Sequence, residues 1–64
     1  MKNKMRELRK LKNLSQKSLS ESLNVSRQTV ISIENGKYDP SLKLGMKIAD
    51  FFDSRVEEIF FLEE

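Results

Sequence analysis

Arg27, Gln28, Thr29 and Ser32 fall within six consecutive residues, and on a helix the 28/32 and 29/32 spacings place their side chains on neighbouring parts of one face. Arginine offers a rigid fork of donors, glutamine both donates and accepts, and the hydroxyls do either. Groups of this kind hydrogen-bond the edges of bases in a DNA groove or the oxygens of phosphates. Nothing beside them suggests bond-breaking chemistry. The chain has no histidine and no cysteine, which excludes imidazole catalysis, thiol chemistry, disulfides and zinc fingers by inventory. Asp50, Asp53, Glu57 and Glu58 are grouped as a metal site or carboxylate pair would be, but they lack histidine and fall at exposed helical positions, so they read as a solvated face that repels DNA.

The elements that must position the polar face lie between Ser15 and Gly36. Ser15 is placed to cap a helix from Gln16 to Leu23, with Leu19 and Leu23 sharing one side. Asn24 tolerates the left-handed conformation that ends a helix abruptly. Val25 fills the corner, Ser26 caps a second helix, and Val30 and Ile33 turn its apolar side back toward Leu19 and Leu23. Two short helices joined by a sharp turn, with a polar face outward, form a helix-turn-helix.

The rest of the chain reads as support. Cations alternate with Met5, Leu8 and Leu11 from Asn3 to about Lys12, which predicts an amphipathic helix stopped by Asn13. Leu14 is a core residue of the link that follows. Gly36 ends the third helix, and GKYDPS, residues 36 to 41, is a loop in which Pro40 discourages helix and Ser41 caps the next element. A fourth helix from Leu42 to Phe52 directs Leu42, Ile48, Ala49 and Phe52 inward, flanked by Leu44 and Met46. Gly45 in its middle costs about 1 kcal/mol relative to alanine, which predicts a close approach to another helix. A short fifth helix from about Val56 to Phe60 completes the core, leaving Phe61 and Leu62 over. No strand pattern is visible, so the expected fold is all-α, a compact bundle of five short helices around a central helix-turn-helix.

At 64 residues this is one domain, residues 1–64, near the size at which a core barely sustains itself. No apolar run approaches the roughly 20 residues of a membrane span, and no signal-peptide core follows the basic N-terminus, so a soluble cytoplasmic protein is expected. Net charge is +2 but unevenly spread. Residues 1 to 47 carry eleven Lys and Arg against four acidic residues, a net of +7. Residues 48 to 64 carry one arginine against six acidic residues, a net of −5. Such a molecule orients itself on a phosphate surface.

SQKSLSESLNVSRQTVISIENGKYDPS resembles the helix-turn-helix domain of the Cro and lambdoid-repressor type, the XRE family. LRKLKNLSQ and LKLGMKIADFFDSRVEEIF are similar to that family's first, fourth and fifth helices. Leu14-Ser15-Gln16, Val25-Ser26 and Ile33-Glu34-Asn35-Gly36, in this order, are specific as a set. The chain departs from the pattern at Ser20, where the family usually has alanine, at Asn13, Asn24 and Asp53, where it usually has glycine, and at Arg55, where a small capping residue is commoner. Ser20 can bond back to a carbonyl one turn earlier, and the other turns should survive because Asn and Asp tolerate left-handed backbone.

The resemblance implies a lambda-repressor-like DNA-binding domain in which Arg27, Gln28 and Ser32 contact base edges and Ile31 is placed to touch a thymine methyl. It implies that Gln16 bonds a phosphate and braces a glutamine of helix 3, and that Arg9 and Glu34 form an internal ion pair. Further phosphate contacts are expected from Lys17, Ser26, Thr29, Lys37 and Lys43. Phe61 and Leu62 exceed what so small a core needs and are expected at a two-fold interface. The expected protein is a sequence-specific regulator of double-stranded DNA, a homodimeric repressor that occludes polymerase, with no cofactor, metal, membrane or small-molecule partner. The alternative is a protein-interaction module or antitoxin-like partner using the same fold.

Overall fold

Helix boundaries in this chain are written in serine and asparagine. The structure is a computed structural model that describes residues 1–62 and contains α1 (Met5–Leu11), α2 (Gln16–Leu23), α3 (Arg27–Glu34), α4 (Leu42–Phe51) and α5 (Val56–Ile59). The hydroxyls of Ser15, Ser26 and Ser41 accept the backbone N–H three residues on, at 2.9, 3.1 and 3.2 Å, and so start α2, α3 and α4. Stops are equally uniform. Asn13, Asn24, Gly36 and Asp53 follow α1 to α4 in turn, with φ of 57°, 57°, 74° and 51°. After each, the next N–H reaches back five residues: Leu14 to Arg9, Val25 to Ser20, Lys37 to Ser32 and Ser54 to Ala49, all between 2.9 and 3.1 Å. Four helices therefore end in one and the same Schellman-type closure, three of them without glycine. At α5, Arg55 has no small side chain to cap with, and the Glu58 carboxylate accepts the Arg55 N–H at 2.9 Å instead.

α2 and α3 pack against each other, and Met5, Leu19, Leu23, Val30, Ile33, Ile48, Ala49, Phe52, Ile59 and Phe60 form one buried core. Leu14 and Val25 pack at its edge, as expected. Ser20 is buried in α2, and its hydroxyl donates to the Lys17 carbonyl at 2.6 Å. The polar group is thus satisfied inside its own helix.

Several expectations are corrected. The chain does contain strand: β1 (Lys2–Asn3) pairs antiparallel with β2 (Phe60–Phe61), Lys2 opposite Phe61 and Asn3 opposite Phe60. Two residues a side are too few for alternation to show in sequence. As a result α1 starts at Met5 rather than Asn3, and α5 ends at Ile59 rather than Phe60. Asn3 becomes a junction: its Oδ1 accepts the Met5 N–H at 3.0 Å, and its Nδ2 donates to the Ile33 carbonyl at 2.9 Å. Leu11 and Leu42, assigned inward by helical spacing, are 79% and 75% exposed. Each is a terminal residue of its helix, Leu11 the last of α1 and Leu42 the first of α4. Gly45 has no close neighbour, since a Cβ built there meets nothing within 4 Å.

Candidate nucleic-acid interface

The outward face of α3 is held in place by the turns at its two ends. Arg27 and Gln28 are exposed, while Thr29, Ile31 and Ser32 are half-buried. Gln28 donates through Nε2 to the Ser32 hydroxyl at 3.3 Å, one turn along. Ser26 and Thr29 hydroxyls lie 2.8 Å apart, and Arg27 has no hydrogen-bonding or charged partner among the described residues. Its fork is available to a ligand. Beyond α3 the chain folds back, because the N–H groups of Lys37 and Tyr38 both donate to the Ser32 carbonyl, at 3.0 and 3.2 Å. Ser26, Gln28, Thr29, Ser32 and Tyr38 then enclose a shallow concavity of about 250 Å³. Tyr38 lines this concavity although the sequence did not single it out, and the available signal was a lone aromatic in the otherwise polar loop after α3. Lys17, Lys37 and Lys43 are exposed.

Behind this face, Glu34 at the end of α3 is the hub of a charged network. Arg9 grips it with Nε to Oε2 at 2.7 Å and Nη2 to Oε1 at 3.3 Å, and donates through Nη1 to the Leu14 carbonyl at 2.9 Å. Arg6 approaches Oε1 at 3.5 Å and binds Asn35 Oδ1 at 2.8 Å. Gln16 donates through Nε2 to Oε1 at 3.2 Å. The Glu34 side chain has 0% exposure and that of Arg9 has 11%. Burial pushes the Glu34 carboxyl up, but hydrogen bonds from Arg9 and Gln16, the Arg9 charge and the Arg6 contact outweigh it and hold the group below its ordinary value. Gln16 therefore braces Glu34 in this structure. The glutamine of helix 3, Gln28, is braced by Ser32.

At another face, Met1, Pro40, Leu42, Gly45, Val56, Phe60 and Leu62 line an apolar groove of about 280 Å³. The pair expected at a two-fold interface divides here. Leu62 is 87% exposed at the groove, whereas Phe61 is half-buried in β2 with Lys4 Nζ 5.6 Å from its ring centroid. Among the described residues no helix is long and apolar enough to cross a membrane, and no group of three His, Cys, Asp or Glu could hold a metal ion.

A capped helix pair crossing at a left-handed turn, with a donor-rich outer face, defines the helix-turn-helix class. Comparison with known proteins places the chain within it: the helix-turn-helix family profile matches residues 5–59, and the chain belongs to that family of DNA-binding transcription regulators, which is not an enzyme family. It is 58% identical over 64 residues to an uncharacterized HTH-type transcriptional regulator of Methanocaldococcus jannaschii, covering 100% of this chain and 97% of that one. To another such regulator, of Bacillus subtilis, it is 50% identical with the same coverage. Among solved structures it is similar to the restriction-modification controller protein C.AhdI from Aeromonas hydrophila, with a TM-score of 0.79 and 35% identity over 89% of this chain and 86% of that one.

Proposed function

We propose that the protein is a sequence-specific regulator that binds a short palindromic operator as a homodimer, each protomer laying α3 in a major groove, and that it represses by covering the polymerase site. The observation that carries the reading is the face of α3 itself, where Arg27, Gln28 and Ser32 stand outward between capped ends with Lys17, Lys37 and Lys43 exposed. Arg27 suits guanine O6 and N7, and Gln28 suits adenine N6 and N7. Ser26, Thr29, Gln16 and the three lysines serve the backbone. Ile31, half-buried beside Arg27, offers a methyl-sized apolar contact. The second copy is the occupant we assign to the groove rimmed by Leu42 and Leu62, because a palindromic site one duplex turn long, about 34 Å between half-site centres, requires a two-fold protein.

Selection of bound sequences from a random duplex pool tests this reading. Palindromic winners whose affinity falls steeply with salt support it. Salt-independent or sequence-blind binding overturns it, and would favour the interaction-module alternative in which the apolar groove is the working surface.

A further inference from the structure

Of the four asparagines, Asn35 alone is followed by glycine, and the pair sits where α3 stops. We infer that Asn35-Gly36 is a site of spontaneous covalent modification, in which Asn35 cyclises onto Gly36 and hydrolyses to isoaspartate or aspartate, and that Arg6 and the stop of α3 hold the reaction off until that stop opens. The modification is independent of what α3 binds, and only its consequence for DNA rests on the reading proposed above.

The reaction needs only water. The Gly36 backbone nitrogen gives up its proton and bonds Asn35 Cγ, the Cγ–Nδ2 bond breaks, and the side-chain nitrogen leaves as ammonia with that proton. Water then opens the cyclic imide at either carbonyl. Opening at Cγ gives aspartate in an unaltered chain, whereas opening at the main-chain carbon routes the backbone through Cγ and lengthens it by one methylene. Glycine has no Cβ to shield its nitrogen, which makes this dipeptide the reactive one. In the fold both reactants are committed elsewhere. The Gly36 N–H donates back to the Ile33 carbonyl at 2.9 Å, and Asn35 Oδ1 accepts from Arg6 Nη2 at 2.8 Å. Asn35 keeps helical backbone angles, φ −82° and ψ −2°. An arginine on Oδ1 also stabilises the negative charge that develops there during attack, but this counts only once Cγ and the nitrogen meet in a reactive geometry. Pinning therefore prevails. Asn35 and Gly36 are both exposed at a helix end, where local opening is least costly. Once formed, isoaspartate shifts the register of the bonds that stop α3, Gly36 to Ile33 and Lys37 to Ser32, and the loop carrying Lys37 loses its anchor. Aspartate keeps the backbone and turns the Arg6 contact into an ion pair.

The test incubates the full chain at mildly alkaline pH and follows ammonia release, isoaspartate by enzymatic methylation, and the modified position by peptide mapping. Modification should map to Asn35, run slowly in the folded chain and run about tenfold or more faster in denaturing urea, where several hydrogen bonds are released together. Arg6→Ala should speed the folded-state reaction about fivefold, the worth of one hydrogen bond in the opening equilibrium. Ile48→Val, which weakens the core within α4, should leave the rate as in wild type and so separates local pinning from general loss of stability. Asn35→Asp should melt like wild type, whereas the separated isoaspartate form should lose binding to a duplex taken from the random-pool selection. Equal rates in folded and unfolded chain, modification mapped to Asn3, Asn13 or Asn24, or an Arg6→Ala rate that is unchanged, slower or matched by Ile48→Val each overturns the inference. An isoaspartate form that binds duplex as wild type does overturns its consequence for DNA. A wild type that selects no duplex overturns the DNA reading while the ammonia and mapping results still decide the modification.

Discussion

On the proposed function, side chains on and behind α3 divide into reading, positioning and bracing, and each kind fails differently. Arg27→Ala or Gln28→Ala should cost about 1 to 3 kcal/mol on the preferred operator and relax preference at one base pair per half-site. Lys37→Ala should weaken all sequences equally and reduce the salt slope by about one per protomer. Affinities on a panel of single-base operator variants check both, and uniform weakening by Arg27→Ala would falsify its base-reading role. Arg9 belongs to the bracing kind. Its removal leaves a carboxylate of 0% exposure with only Arg6 and Gln16, so Arg9→Ala should lose on the order of 3 kcal/mol, the low end for a broken buried pair. Urea denaturation measures it, and wild-type stability with weakened DNA binding would make Arg9 a phosphate contact instead. The same network makes a pH prediction. Because the folded Glu34 carboxyl titrates below its ordinary value, its contribution is complete above about pH 4.3 and is lost as pH falls through the lower folded value. Glu34→Gln should flatten the stability profile across that acid window.

Elements in so small a protein depend on their ends, and here the ends were the most legible feature. Three serine caps and the left-handed stops at Asn24 and Gly36 can be read from residue type, and the family resemblance adds Asn13 and Asp53, because each answers a local need of unpaired backbone groups. The middle of α4 was misread. Glycine at position 45 suggested a close helix contact, yet the space above it is the open groove. Gly45→Ala should therefore raise stability by about 1 kcal/mol through helix propensity alone, measured as the urea midpoint of dilute protein. Destabilisation would mean that a partner surface already fills the space.

Across the whole molecule, the α3 face proposed to read DNA is joined to a groove whose rim keeps Leu42 and Leu62 in water. Leu42→Glu or Leu62→Glu should leave the fold intact and convert the protein to a monomer, with affinity lost on a two-half-site operator and retained on one half-site. Sedimentation at tens of micromolar, with and without DNA, decides the matter. A wild type that is monomeric in both conditions sinks the two-fold reading.

What the sequence determined by itself was local or periodic: five helices, the serine caps of α2, α3 and α4, the stops at Asn24 and Gly36, the inward stripe of Leu19, Leu23, Val30 and Ile33, and the outward Arg27, Gln28 and Ser32. Helical spacing says which residues share a face but not how far the neighbouring element extends. Leu11 and Leu42 therefore went inward on paper and outward in the fold. Contacts between segments distant in the chain left no periodic trace. The pairing of Lys2–Asn3 with Phe60–Phe61, the Asn3 bond to Ile33, the turning of Gln16 onto Glu34 and the approach of Tyr38 to Ser32 all depend on where two chain segments meet. Only packing of the whole core around Met5, Ile48 and Ile59 brings those segments together, and tertiary structure decides such meetings because each contributes too few residues to be seen in either segment alone.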